Sequence, residues 1–136
     1  MDALLLKRAM ARSGINIPMD FVRDGQEAID FLSDGSTAEN PPGAENFPGL
    51  LLLDLKMPRL NGFDVLRWVR SQKGLNRIVV VVLTSSGEAQ DIHQAYDLGA
   101  NSYVMKPSDF GRLQRFVETL QSYWIEMNQF AECRAA

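Results

Sequence analysis

Three residues of this chain carry side chains suited to handling a phosphoryl group, and each stands at the end of an apolar run. Asp54 follows the leucines Leu50–Leu53, Thr84 follows the run 78–83, and Lys106 follows Ser102–Met105. A carboxylate can attack phosphorus and form an acyl phosphate. Beyond that nucleophile, phosphoryl transfer needs in-line positioning and neutralisation of the equatorial oxygens, which an ammonium and a hydroxyl can supply. The remaining charge calls for Mg²⁺, which takes oxygen ligands and retains several waters. Each residue alone has a plainer reading: Asp54 as a turn cap, Thr84 as a turn hydroxyl, Lys106 as a solvated charge. The case rests on all three reaching one place.

The elements that would bring them together are legible as hydrophobic periodicity. Runs of continuous apolar residues closed by turn residues read as strands covered on both faces, as in parallel sheets. Leu50–Leu53 and 78–83 are such runs, Ser102–Met105 is a short last strand, and 18–22 is a further candidate. Between them the spacing predicts helices: 2–13, stopped by Gly14; one carrying Ala28, Ile29, Phe31 and Leu32, ended by Gly35; one opening beyond Gly62 with Phe63, Val65, Leu66 and Val69; and 88–98, closed by Gly99. A long final helix capped by Ser108 carries the stripe Leu113, Phe116, Val117, Leu120, Tyr123, Trp124 and Met127. Strands alternating with helices imply parallel strands joined by right-handed crossovers. In such sheets ligands sit beyond the carboxyl ends of the strands, where Asp54, Thr84 and Lys106 fall.

Composition narrows the function. The 136 residues fit one domain, with 46% hydrophobic content and a net charge of −3. That charge argues against bulk electrostatic binding to nucleic acid or membrane. No apolar stretch has the length of a membrane span, and the first residues lack a secretory pattern, so the expectation is cytoplasmic. Cys133, the only cysteine, reads as a free thiol in the tail 128–136. The stretch 36–48, rich in Pro, Gly, Asn and Glu, reads as an exposed connection.

Taken in order, Leu50–Leu53 with Asp54, Leu55, Lys56, Met57 and Pro58, then Gly62, then Leu83, Thr84 and Ser85, then Gly99 and Ala100, then Tyr103, Val104, Met105, Lys106 and Pro107 resemble the receiver domain of bacterial response regulators. Within that family the chain is similar to small stand-alone receivers that partner phytochrome-type histidine kinases. The resemblance implies a flavodoxin-like, doubly wound parallel sheet of the (βα)5 kind as a single domain over 1–136. It implies that Asp54 accepts phosphate from a kinase phosphohistidine, assisted by Lys106 and Thr84, with the chain acting as a relay rather than a dedicated enzyme. Mg²⁺ would be held by Asp54 and the carbonyl of Lys56. The switch would move Thr84 towards the phosphoryl group and turn Tyr103 inward, and the Lys106–Pro107 bond would be cis.

One departure stands out. Receivers open with an apolar strand ending in an acidic pair that holds the metal, whereas this sequence opens at the first helix. Asp2, the only acidic residue before Asp20, falls in a first helical turn where the helix dipole favours a carboxylate. The missing strand would lie between 18–22 and Leu50–Leu53, and its burial is comparable with the net stability of a whole domain. The expectation is that the natural product begins upstream. The alternative is a degenerate receiver that dimerises or swaps elements.

Other signals are weaker. His93 reads as a surface residue, and Arg67, Arg70, Lys73 and Arg77 as a solvated basic face. Tyr123, Trp124 and Met127 end a mostly buried stripe, and the exposed end of that helix is expected to form a symmetric dimer surface. With no room after the last helix for a DNA-binding module, the output should be protein–protein contact. A phosphorylation-independent pseudo-receiver acting as a dimeric interaction module is the competing reading. A flavin or nucleotide binder is a third, weakened by the lack of a suitably placed Gly-rich loop.

Overall fold

The computed structural model describes residues 3–14, 24–34, 50–56 and 60–129. Along the chain these form α1 (Ala3–Arg12), α2 (Gly25–Asp34), β1 (Leu50–Leu53), α3 (Gly62–Ser71), β2 (Val79–Thr84), α4 (Ala89–Asp97), β3 (Ser102–Met105) and α5 (Phe110–Leu120), followed by a π-helix over Gln121–Met127. The strand candidate 18–22, the connection 36–48, Cys133 and most of the tail lie outside the described residues.

All three described strands are parallel, in the order β1-β2-β3, with Leu53 opposite Val82 and Thr84 opposite Met105. β2 is buried along its whole length, which is what a central strand made of Val and Leu achieves when both its faces are covered. On one face, Ala28 and Leu32 of α2 join Val65, Leu66 and Val69 of α3 against Leu53, Ile78 and Val80. Further along the same strand, Val82 meets Leu55 and Ala95, with Phe63 and Tyr103 at the margin. This alternation of parallel strands and helices is the α/β, flavodoxin-like architecture expected from the sequence.

Local capping explains where the helices start. Asn61 precedes α3 and accepts a hydrogen bond from the Asp64 amide at 3.0 Å, satisfying one of the orphan donors of the first turn. Asp109, rather than the expected Ser108, caps α5 by accepting from the Arg112 amide at 2.8 Å. An ionised carboxylate gains from the helix dipole as well as from the hydrogen bond, so Asp109 is the stronger cap.

A second compact unit contains α1, α5 and the π-helix, with Lys106. Here α1 packs on α5, Ala9, Met10, Leu113, Val117 and Leu120 are buried, and the Arg12 guanidinium lies 5.5 Å from the centre of the Phe110 ring. The expected single stripe ends at Leu120. Beyond it the backbone widens, with the Asn128 amide bonding to the Tyr123 carbonyl at 2.7 Å, and a five-residue hydrogen-bond spacing loses the phase of an α-helical stripe. Tyr123 and Met127 are 50% and 70% exposed, as expected of the end of this helix, and Trp124 is half-buried with its ring edge-on to Tyr123.

Candidate functional site

The site begins with a change of environment over two residues. Leu53 closes β1 fully buried, and the next residue, Asp54, is only half-buried where the chain leaves the sheet. Its Oδ1 accepts the amide of Lys56 at 3.0 Å, which orients the carboxylate over the turn. Leu55 returns to the core, and its carbonyl accepts the Gly62 amide at 3.0 Å. That contact brings the start of α3 against the Asp54 backbone. A Cβ on Gly62 would overlap the Asp54 carbonyl oxygen and lie 2.7 Å from the Leu55 Cα, so only glycine fits there.

Thr84 is the last residue of β2 and is fully buried. Because β1 and β2 are parallel with Leu53 opposite Val82, Asp54 and Thr84 leave the sheet at the same end. The Ser86 amide lies 3.5 Å from Thr84 Oγ1, at the long limit of a hydrogen bond. Tyr103, half-buried on β3, donates its hydroxyl to the Ser86 carbonyl at 2.9 Å. Burial pushes the Tyr103 phenol up, and the Asp91 and Glu88 carboxylates push the same way, against an opposing hydrogen bond with Ser86.

The fold therefore brings Asp54, Lys56, Thr84 and Tyr103 to one end of the sheet unit. Lys106 follows Met105 of β3 directly in the chain and is half-buried, but it belongs to the unit of α1 and α5. The Lys106–Pro107 bond is trans, since no cis peptide occurs among the described residues. The expectation of cis is corrected, in line with the ordinary preference of about 0.5–1 kcal/mol for trans before proline.

For a divalent cation, the described residues offer one carboxylate, Asp54, beside the Lys56 backbone, and no group of three or more His, Cys, Asp or Glu. The acidic pair that the resemblance calls for has no counterpart beside Asp54 among the described residues, so the donor set is a sparse one for a cation that takes oxygen ligands.

Two features escape a reading of the sequence. Ser86 and Asp91 join through a 2.5 Å hydroxyl–carboxylate bond, five positions apart across the start of α4. Arg70, expected on a solvated face, instead hydrogen-bonds the carbonyls of Gly99, Asn76 and Ile78 and the side chain of Asn101. Arg67 and His93 do lie on the surface, Arg67 3.3 Å from Asp64.

Comparison with known proteins agrees with this geometry. Residues 3–118 match the family model of the response regulator receiver domain. The chain is 36% identical over 127 residues to "Probable methanogenesis regulatory protein FilR2" of Methanothrix harundinacea, covering 93% of this chain and 79% of that protein. It is 34% identical to response regulator Rcp1 of Synechocystis sp., covering 92% and 82%. A solved Mn²⁺-bound form of Rcp1 superposes with a TM-score of 0.77 at 32% identity, over 95% of this chain and 90% of that one. The phosphorylated cyanobacterial phytochrome response regulator RcpA gives a TM-score of 0.80 at 33% identity, over 93% and 88%. A strand-end carboxylate, a buried hydroxyl on the neighbouring strand and matches of this extent lead to one conclusion: the chain belongs to the response regulator receiver family of two-component signalling.

Proposed function

We propose that this receiver accepts a phosphoryl group on Asp54 from a sensor histidine kinase of phytochrome type and passes the signal on through a protein–protein surface. The observation that carries the reading is the placement of the half-buried Asp54 at the same sheet end as the buried hydroxyl-bearing Thr84. An Asp54 oxygen attacks phosphorus in line, the P–O bond forms as the kinase's P–N bond breaks, and the imidazole leaves with a proton. Thr84 supplies a hydrogen bond to one equatorial oxygen, and the family resemblance gives Lys106 the part of cation for another. Asp54 and the Lys56 carbonyl would hold Mg²⁺, which supplies charge neutralisation when bound. The resemblance to a Mn²⁺-bound and to a phosphorylated receiver supports both parts.

Charge on Asp54 then biases a two-state element, with Thr84 moving towards the phosphoryl group and Tyr103 following. The output surface includes the exposed Tyr123 and Met127, through which two copies associate.

Incubation with acetyl phosphate and Mg²⁺, beside Asp54→Asn, tests the reading by mass spectrometry. One phosphoryl mass is expected on the wild type and none on the variant. Equal behaviour of the two proteins would overturn the relay and leave the phosphorylation-independent dimeric module in its place.

A further inference from the structure

Ser86 has no role in the proposed phosphoryl chemistry, yet it is tied to three elements. Its residue is 9% exposed. Its amide points to Thr84 Oγ1 at 3.5 Å, and its carbonyl accepts from the Tyr103 hydroxyl at 2.9 Å. Its own hydroxyl donates to Asp91 Oδ2 at 2.5 Å and accepts from the Glu88 amide at 3.3 Å. The end of β2, the start of α4 and the side of β3 thus share one residue as their polar junction.

The consequence concerns what must move. A loop that carries Thr84 towards a phosphoryl group must carry Ser86, two residues on, and Ser86 is anchored by a hydroxyl–carboxylate bond, the stronger class of hydrogen bond. A bond present in only one of two conformations stabilises that conformation by its whole net value.

We propose that Ser86, held by Asp91, is a positioning residue that restrains the loop between β2 and α4 and so sets Thr84 and Tyr103 together. The tether raises the cost of rearrangement, and cutting it releases both residues at once. This rests on the phosphoacceptor reading for its kinetic consequence but not for its structural one.

The test is a double-mutant cycle with two readouts. In acetyl phosphate and Mg²⁺, Ser86→Ala and Asp91→Ala are each expected to raise the initial rate of Asp54 phosphorylation about ten- to a hundredfold, the scale of one charge-assisted hydrogen bond exchanged for water. The double variant should match either single variant, because both cut the same bond. Ser86→Thr, which keeps the hydroxyl, should restore the wild-type rate. In parallel, NMR signals of the Thr84 methyl and the Tyr103 ring should shift together in the two alanine variants and stay near wild type in Ser86→Thr. Additive rates, unchanged rates, or failure of Ser86→Thr to rescue would overturn the proposal. If the wild type gains no Asp54-dependent phosphoryl mass, the phosphoacceptor reading fails and the NMR signals decide alone: unshifted Thr84 and Tyr103 then reject the tether, and a joint shift retains it.

Discussion

Arg70 donates from both Nε and Nη2 to the carbonyl of Gly99, at 3.0 and 2.7 Å, across 29 residues of sequence. The same guanidinium reaches the Ile78 carbonyl at 2.7 Å and Asn101 Oδ1 at 2.8 Å, and Asn101 in turn accepts the Val80 amide at 2.8 Å. One side chain on α3 therefore ties the entry to β2 to the turn between α4 and β3. The planar fork of arginine suits several acceptors at once, which a lysine point charge does not.

Replacing Arg70 should cost stability more than a surface arginine does. Arg70→Ala and Arg70→Lys are both expected to lose about 2–3 kcal/mol, since part-buried carbonyls lose charged donors. Arg67→Ala, cutting only an exposed pair, should lose less than about 1 kcal/mol. Urea unfolding of the three variants checks the ranking, and equal effects would deny Arg70 its clamp.

Gly99 is constrained twice. Its φ of +104° is a conformation side chains rarely adopt, and a Cβ there would lie 2.9 Å from Arg70 Nε. Gly99→Ala is expected to lose about 1–3 kcal/mol from backbone strain. Part of the loss comes from pushing Arg70 away, so Gly99→Ala with Arg70→Ala should cost less than the sum of the two. Thermal unfolding of the four proteins measures that shortfall.

Gly62 touches the acceptor's own backbone, which makes it a test of the site rather than of the core. A Cβ at this position overlaps the Asp54 carbonyl oxygen, so Gly62→Ala should displace Asp54 and cost about 1–3 kcal/mol by overpacking. Its phosphorylation rate with acetyl phosphate should fall at least about tenfold, as misplacement of a reacting group by an ångström commonly does. An unchanged rate would separate Asp54 geometry from the α3 contact.

Tyr103 predicts a pH dependence at the alkaline end. Its phenol is raised in the folded chain, chiefly by burial, while an unfolded phenol loses its proton near pH 10. Above that pH the unfolded state binds fewer protons than the folded one, so stability falls as pH rises through the window between the two values. The contribution is fully present below pH 10. Denaturant midpoints between about pH 9 and 11 should decline more steeply for the wild type than for Tyr103→Phe.

Much of the fold is written in local pattern. Strand β1 begins and ends where its four leucines do, and β3 likewise matches its apolar run. Strand β2 is offset by one residue, because the Ile78 amide is taken by the turn carbonyl of Leu75 and Thr84 completes the ladder instead. Helix ends were legible to within a residue or two, except after Leu120, where the change to a π-helix moved Tyr123 and Met127 off the stripe. Nothing in a 3.6-residue period announces a five-residue hydrogen bond.

By itself the sequence determined which of the described elements form, their order, and the placing of Asp54 and Thr84 at strand ends, because burial patterns and turn residues act between near neighbours. The tertiary structure decided the partners. Arg70 looked like one more charge on a solvated face until the backbone brought Gly99 and Asn101 to it, and Ser86 gained Asp91 and Tyr103 in the same way. A polar side chain's role depends on which acceptors arrive within about 3 Å of it, and that distance is set by the packing of elements far apart in the chain.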